Sequence, residues 1–235
     1  MKMLKKIKKF NSSRYRLKEV NQEFAKNVPS GARVLDAGAG RAPYRELFSH
    51  ANYESADFEQ VDKQYAPSNY VCDLKEIPVG DNYFDYIIFN QVMEHLPEPE
   101  AVLKEFQRIL KPGGKIIYTG PLFYEEHEQP YDFYRYTQFG LKHLFTKSGF
   151  EIEYIDWLEG YYGTLGYQLN RMAHCLSLKP KDLGGGIAGV ALVPVVLMFK
   201  IMARLGSIIF HRLEIKTKFK RRGYPKNYHA ILAKP

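Results

Sequence analysis

Apolar residues along the chain form short runs that are separated by glycines, prolines and charged residues. These runs predict six strands, at residues 33–37, 53–57, 70–72, 84–90, 115–119 and 150–157. Apolar positions three and four apart predict helices at residues 18–27, 98–110 and 137–148, and segment 43–50 opens with a proline that suits a first helical turn. Strands that alternate with helices predict a doubly wound, parallel sheet, and such sheets bind ligands at the carboxyl ends of their strands.

Residues 158–223 interrupt this alternation, and residues 228–233 predict a returning last strand. The interruption contains an apolar run, Gly184–Phe210, whose first sixteen residues carry no charge. That length falls short of the roughly twenty residues of a transmembrane helix, and Pro194 and four glycines weaken that interpretation further. Lys200 and Arg204 then break the apolar run. Two interpretations stay open: a hairpin or amphipathic pair on a membrane surface, or a helical cap over the substrate site or a dimer interface.

The chain is therefore expected to have four segments. Residues 1–27 form a basic N-terminal segment and helix, residues 28–157 form the core, residues 158–223 form the helical insertion, and residues 224–235 return to the core.

The formal charge of +8 is concentrated in two places. Residues 1–18 carry eight basic side chains and no acid, and residues 200–226 carry nine basic side chains and one acid, Glu214. Basic segments attract anionic partners, so peripheral contact with an anionic membrane is predicted. Nucleic acid is not the expected partner, because these segments lack the glycine–aromatic pattern of common RNA-binding modules.

The two cysteines, Cys72 and Cys175, lie far apart in the sequence. They argue against a disulfide framework and against a cysteine metal site, and no other metal site is predicted. The basic N-terminus lacks the apolar run and cleavage site of a secretory signal. We therefore expect a cytoplasmic location, with peripheral attachment to the inner membrane face as an extension of it.

Closely spaced glycines follow the first predicted strand. Gly38 and Gly40 let the backbone turn tightly and approach a ligand, and Asp36 stands two residues before the first of them. Pro43 occupies the place of the third glycine in a nicotinamide-binding loop. An acid here suits a ligand that carries an ammonium group and lacks a pyrophosphate.

Two further acids follow the next two strands. Asp57 lies 19 residues after Gly38, where a carboxylate can accept hydrogen bonds from ribose hydroxyls. Asp73 can accept one from an exocyclic adenine amine, with Leu74 packing on the ring. Three acids at three successive strand ends predict a site for an aminoacyl nucleoside.

Five segments together resemble the class I methyltransferase family, and its small-molecule and ubiquinone-type subgroup above all. They are VLDAGAG, YESADF, VCDL, FDYIIFNQVMEHL and ILKPGGKIIYTGP. The resemblance implies an α/β fold with a Rossmann-like, mostly parallel, seven-stranded sheet, helices on both faces and an antiparallel last strand. It also implies S-adenosylmethionine as the cofactor.

The same resemblance assigns roles to individual residues. Asp36 is expected at the methionyl amine, Gly38 and Gly40 at the methionyl chain, Asp57 at the ribose, and Asp73 and Leu74 at the adenine. Asn90 and Gln91 are expected near the sulfonium.

Residues that follow the fourth and fifth predicted strands are the candidates for a role in methyl transfer itself. Methyl transfer needs alignment above all, and a base where the acceptor is a hydroxyl or a protonated amine. His127 and His95 are the candidate bases, and both also suit an ordinary place in a loop. Arg135 and Asp132 can line an acceptor pocket; alternatively they pair with each other while Thr137 caps the next helix.

The sequence therefore predicts a methyltransferase that acts on a small-molecule, glycan or lipid-linked acceptor, through oxygen. A nucleic-acid methyltransferase is the first alternative, although FNQVMEHL stands where base-amino enzymes carry Asn/Asp-Pro-Pro-Tyr. A non-catalytic protein that binds S-adenosylmethionine is the second. The oligomeric state stays open.

Overall fold

The computed structural model describes residues 11–235, so the basic residues 1–10 lie outside the described part of the chain. Two compact units divide the described residues. One consists of Glu159–Lys226 together with the described residues up to Tyr15, and the other of Arg16–Leu158 together with Asn227–Pro235. We call them the helical unit and the sheet unit.

The sheet unit holds seven strands. They are β1 Arg33–Ala37, β2 Asn52–Asp57, β3 Tyr70–Val71, β4 Phe84–Asn90, β5 Leu110–Pro121, β6 Glu151–Trp157 and β7 Asn227–Ala233. Its helices are most of α1 (Ser12–Lys26), α2 (Pro99–Ile109) and α3 (Gln138–Lys147), with short 3-10 helices at Arg45–Phe48 and Met93–His95. The helical unit holds α4 (Tyr161–Cys175), a 3-10 helix at Pro180–Leu183 and α5 (Gly186–Thr217).

The strands form one sheet in the order β3-β2-β1-β4-β5-β7-β6. Strands β1 to β5 are parallel to one another, whereas β7 is antiparallel to both β5 and β6. The predicted Rossmann-like, mostly parallel, seven-stranded sheet with an antiparallel last strand is confirmed.

The core has a layer on each face of the sheet, because successive strand residues point to opposite faces. Val34, Ile88 and Ile117 pack with Phe24 of α1 and with Phe48. Strand residues next to these in the sequence pack on the other face, among them Leu35, Ile87, Phe89 and Ile116. There they meet Phe106 of α2 and Phe145 of α3. The alternation places helices on both faces, as predicted.

The predicted helix at residues 43–50 is wrong. The Arg45 amide bonds to the Ala42 carbonyl and the Leu47 amide to that of Tyr44, so each bond reaches back three residues instead of four. Ala42 itself has a φ of 49°, in the left-handed region. The result is a four-residue 3-10 helix, and no α-helix N-terminus faces the glycine turn.

Strand β5 is longer than the predicted 115–119. It begins at Leu110, which pairs with Phe84 across a register irregularity. The Gly113 amide donates to the Lys234 carbonyl, and the Lys234 amide donates to the Gly114 carbonyl. The KPGG segment therefore ends α2 as predicted and also belongs to the sheet.

Helix α5 is one continuous helix of 32 residues that runs through Pro194. Pro194, which the sequence analysis counted against a spanning helix, lies inside the helix, whereas Gly184 and Gly185 precede it. Gly189 allows close packing, because a Cβ there would lie 2.4 Å from the Pro180 carbonyl oxygen. By length and composition α5 is the one helix among residues 11–235 that could cross a membrane, and 11% of its most apolar stretch is buried.

The two charged residues inside the apolar run both face helix α4. Lys200 donates to the Leu176 carbonyl, and the Arg204 guanidinium donates to Asn170 Oδ1 over 2.6 Å. The outward side chains are apolar; eleven of them, between residues 187 and 209, are at least 42% exposed: Ile187, Val190, Leu192, Val195, Leu197, Met198, Phe199, Ile201, Met202, Leu205 and Ile209. Within the apolar run, α5 thus turns its two charged side chains toward α4 and exposes apolar ones.

Candidate active site

A cavity of about 190 Å³ lies in the sheet unit at the carboxyl ends of β1, β2, β3 and β4. Six of the predicted site residues line it: Gly38, Asp57, Asp73, Leu74, Gln91 and His95. Further side chains complete the wall, among them Phe58, Lys63, Val92, Glu128, Tyr131 and Phe133. The other predicted site residues lie outside this lining.

The glycine turn is shaped by one close approach. Gly38 has a φ of 76°, and a Cβ there would lie 2.4 Å from Cγ2 of Val92. A larger residue would therefore clash with the cavity wall as well as strain the backbone. The Gly40 amide donates to Oδ2 of Asp57 over 2.7 Å, which ties the turn to the end of β2.

Asp36 is buried in β1 and does not line the cavity. Its carboxylate accepts a hydrogen bond from the Tyr53 hydroxyl. Burial raises the pKa of Asp36 to about 6, although the Tyr53 bond works in the opposite direction. At neutral pH the group is mostly ionised and faces the interior of the sheet unit.

Asp73 offers the cavity a polar group, and Leu74 offers it an apolar surface. The Asp73 carboxylate is half exposed and accepts from the Lys75 amide over 3.0 Å. The Leu74 side chain is buried in the core cluster while one surface of it lines the cavity. A flat ring that lay on Leu74 would have the Asp73 carboxylate near its edge.

Asn90 and Gln91 differ although they are neighbours. The Asn90 amide donates to Asn21 of α1 over 2.8 Å and its oxygen accepts from the Thr119 hydroxyl over 2.8 Å, so the side chain is occupied away from the cavity. Gln91 has a φ of 58° and lines the cavity. Such strain at a non-glycine residue clusters at functional sites.

His95 lines the cavity, and His127 lies behind it against the His95 ring, with ring centroids 4.7 Å apart. The Nδ1 atom of His95 contacts the Tyr131 carbonyl, and Nδ1 of His127 lies 3.1 Å from the Glu125 carbonyl. A carbonyl only accepts, so each Nδ1 carries the proton and each Nε2 keeps its lone pair. Burial lowers the pKa of His95.

Asp132 and Arg135 pair with each other. The guanidinium donates to both carboxylate oxygens, over 2.6 and 2.8 Å, and the Asp132 carboxylate also accepts from the His127 amide. The Arg135 hydrogen bond holds the pKa of Asp132 at about 2. Thr137 caps α3 by accepting from the Gly140 amide. The pair therefore shapes the His127 loop, which is the second of the two interpretations offered above.

Glu94 was not among the predicted site residues. Its side chain is 1% exposed, and neither carboxylate oxygen has a hydrogen-bond partner among the described residues. Burial raises the pKa of Glu94 to about 8. Glu94 stands directly before His95 in the 3-10 helix that follows β4. Its position next to a candidate base was the one sequence feature that could have drawn attention to it.

Comparison with known proteins supports the assignment that the sequence resemblance made. Residues 9–155 match the model of a family described as the methyltransferase domain. The tRNA (carboxymethyluridine(34)-5-O)-methyltransferase of Macaca fascicularis is 32% identical over 115 residues, which are 46% of this chain and 17% of that protein.

A ubiquinone/menaquinone biosynthesis C-methyltransferase of Burkholderia cenocepacia is 27% identical over 106 residues, or 39% of this chain and 44% of that one. The chain thus spans about half or less of the curated relatives it matches. Among solved structures, the [4+2]-cyclase SpnF gives a TM-score of 0.57 at 16% identity over 94% of this chain and 81% of that one, a likeness of fold alone. The chain belongs to the methyltransferase domain family.

Proposed function

We propose that this protein transfers the methyl group of S-adenosylmethionine to an oxygen of a small-molecule, glycan or lipid-linked acceptor. One observation carries the proposal: a single cavity is lined both by the residues expected at the cofactor and by His95 and Tyr131. A methyl donor and an acceptor can therefore meet in one place.

The residues around the cavity fit the cofactor. The Asp57 carboxylate would accept from the ribose hydroxyls, and Asp73 with Leu74 would hold the adenine between a polar edge and an apolar face. The open backbone at Gly40, where a Cβ would meet nothing within 4 Å among the described atoms, leaves room for the methionyl chain. Asp36, ionised at neutral pH, would attract the methionyl ammonium from behind the turn.

The bound cofactor supplies an electrophilic methyl group, and the protein's task is alignment. In such a transfer the acceptor oxygen would gain a bond to the methyl carbon as the sulfur–methyl bond breaks, with that electron pair left on sulfur. His95, which lines the cavity, would accept the hydroxyl proton, and the ring of His127 lies against it. Tyr131 and Phe133 at the same wall exclude water from the methyl group.

A lipid-linked acceptor is supported by the surface of α5. A helix with apolar side chains outward and basic residues after it suits the interface of an anionic membrane. Lys216, Lys218, Lys220, Arg221 and Arg222 follow the apolar stretch directly. We propose that α5 holds the protein at such a surface from the cytoplasmic side, where a lipid-bound acceptor would be found.

A second candidate is methylation of RNA, which the tRNA-methylating relative favours. That enzyme's name also specifies an oxygen acceptor. The net charge of +8 suits a polyanion as well as it suits an anionic membrane. The two candidates differ in the acceptor and share the donor.

Calorimetric titration with S-adenosylhomocysteine tests the donor site, and the expected result is binding of one equivalent. Transfer of a radiolabelled methyl group to lipid, glycan and RNA fractions of the host cell then tests the acceptor. Label in the lipid or glycan fraction supports the first candidate, whereas label in RNA alone supports the second. Absence of S-adenosylhomocysteine binding would contradict both.

A further inference from the structure

We propose that Glu94, His95 and His127 bind a divalent first-row transition metal ion at the wall of the cavity. One carboxylate oxygen of Glu94 and one ring nitrogen of each histidine lie within 4.8 Å of one another. The inference rests on the proposed function for its role, and on these three side chains for its existence.

The spacing of the three groups suits one ion. Two atoms bound to the same ion lie at most about 4.2 Å apart, since each bond is about 2.1 Å long. The Glu94 Oε1 and His95 Nε2 atoms are 3.9 Å apart, within that limit. The cluster as a whole spans up to 4.8 Å, so the proposal requires the side chains to draw together when the ion binds.

The histidines are already prepared as ligands. A histidine that binds a metal usually donates its other ring N–H to a carbonyl or carboxylate, which fixes the ring and its tautomer. Here Nδ1 of His95 is held by the Tyr131 carbonyl and Nδ1 of His127 by the Glu125 carbonyl. Both Nε2 atoms are thereby left with a lone pair.

Glu94 supplies an independent observation. A buried carboxylate without a hydrogen-bond partner is costly, and a native structure needs a reason for it. Both oxygens of Glu94 are in that condition among the described residues, and one of them belongs to the three-atom cluster. A bound cation would satisfy a group that the protein leaves unsatisfied.

An ion at this position would be placed to activate an acceptor hydroxyl. His95 lines the same cavity as Gln91 and Asp57, so an ion on His95 would face the space between the cofactor and the acceptor. Two imidazoles and one carboxylate suit Mn²⁺, Fe²⁺, Co²⁺ or Zn²⁺ and leave coordination positions open. An acceptor hydroxyl in an open position would lose its proton to solvent more easily, because the cation lowers its pKa. The three side chains then replace a general base.

Cobalt(II) is the probe for the test, because its visible absorption reports the ligands. The full-length protein, without a polyhistidine tag and after dialysis against a chelator, is titrated with Co²⁺ alone. We expect one equivalent to bind with a d–d spectrum, and Glu94→Gln, His95→Ala and His127→Ala each to weaken binding at least tenfold. His143→Ala, which removes an exposed histidine from α3, is the matched control and should bind as the wild type does.

Each variant is also titrated with S-adenosylhomocysteine and melted thermally. Retained S-adenosylhomocysteine binding shows that the variant is folded, and Glu94→Gln keeps the shape of the side chain if an alanine variant does not fold. Wild-type protein that binds S-adenosylhomocysteine but not Co²⁺, or variants that bind Co²⁺ as tightly as the wild type, would overturn the metal site alone. Protein that binds Co²⁺ but not S-adenosylhomocysteine would overturn the proposed function and leave the metal site standing.

Discussion

The backbone amide of Gly40 donates a hydrogen bond to Oδ2 of Asp57 over 2.7 Å. The turn after β1 is thus fastened to the end of β2 by a charge-assisted bond, and Oδ1 accepts in addition from the Glu59 amide. Such bonds hold the carboxylate in one orientation before any ligand arrives. A hydroxyl pair that met Asp57 would find its acceptor already placed.

Replacement of Asp57 by asparagine is expected to weaken S-adenosylhomocysteine binding at least tenfold. A hydrogen bond to a charged group contributes about 1.5–3 kcal/mol, and about 1.4 kcal/mol corresponds to a factor of ten. Isothermal titration calorimetry measures the effect. Asp81→Asn, which removes an exposed carboxylate outside the cavity lining, should leave affinity unchanged. Equal affinities of Asp57→Asn and wild type would remove Asp57 from the cofactor site.

Replacement of Gly38 by alanine is expected to destabilise the fold by about 2 kcal/mol or more. The new Cβ would overlap Val92, and a φ of 76° is unfavourable for alanine. Thermal melting measures the loss. A second substitution, Val92→Ala, removes the two nearest methyl groups and should restore part of it.

Gly80→Ala serves as the control for this pair of variants. Gly80 has open space around the position of a Cβ and no positive φ. Its melting temperature should stay close to that of the wild type. A Gly38→Ala protein as stable as Gly80→Ala would mean that the turn is free to move away from Val92.

Stability should depend on pH through Asp36. Its pKa is about 6 in the folded protein, against about 4 in an unfolded chain. Between these values the folded protein binds more protons, so the residue's contribution to stability is complete below about pH 4 and is lost as the pH rises through about 6.

Asp36→Asn removes this dependence. Relative to the wild type, its free energy of unfolding should rise by about 3 kcal/mol between pH 4 and pH 7. Urea denaturation at several pH values measures the difference. Tyr53→Phe, which removes a hydrogen bond that lowers the Asp36 pKa, should shift the wild-type loss to higher pH. Parallel pH profiles for Asp36→Asn and wild type would show that Asp36 titrates alike in both states.

Charges placed on the exposed face of α5 should abolish membrane binding. Met198 and Leu205 are 51% and 57% exposed, and burial of such side chains in lipid contributes about 1.5–3 kcal/mol each. The double variant Met198→Glu, Leu205→Glu should bind phosphatidylglycerol vesicles at least tenfold more weakly in a sedimentation assay. Phe139→Glu alters a more exposed apolar residue, in the sheet unit, and should bind as the wild type does. Wild-type protein that stays in solution with these vesicles at low salt would contradict the membrane proposal.

The sheet could be predicted because the residues that mark its strands lie next to each other in the sequence. The apolar run of β4 and the glycines after β1 and α2 mark strand ends directly, and the order of strands and helices limits the topology. The helix predicted at residues 43–50 was wrong because the pattern of apolar residues does not show whether backbone hydrogen bonds reach back four residues or three. The effect of Pro194 could not be judged from the sequence either. The proline weakens the helix locally, whereas the packing of α5 on α4 that offsets this loss involves residues distant in the sequence.

The candidate site was predictable only in part, because side-chain partners come from distant segments. Asn90 lies at the expected strand end, yet Asn21 of α1 and Thr119 of β5 occupy its amide. Glu94 went unnoticed because nothing in the sequence shows that its carboxylate is buried without a partner. Strand ends can be located from sequence, whereas the direction of a side chain depends on its neighbours in space.

Strand β7 lies between β5 and β6, and residues 158–226 separate it from both in the chain. During synthesis the ribosome therefore releases the whole of α5 before it releases β7, the strand that joins β6 to the other five strands. For that interval the nascent chain presents an apolar helix together with two open strand edges, both of which favour aggregation. A membrane or a chaperone that received α5 at that moment would protect the unfinished sheet, so delivery of the helix and completion of the fold are linked in time.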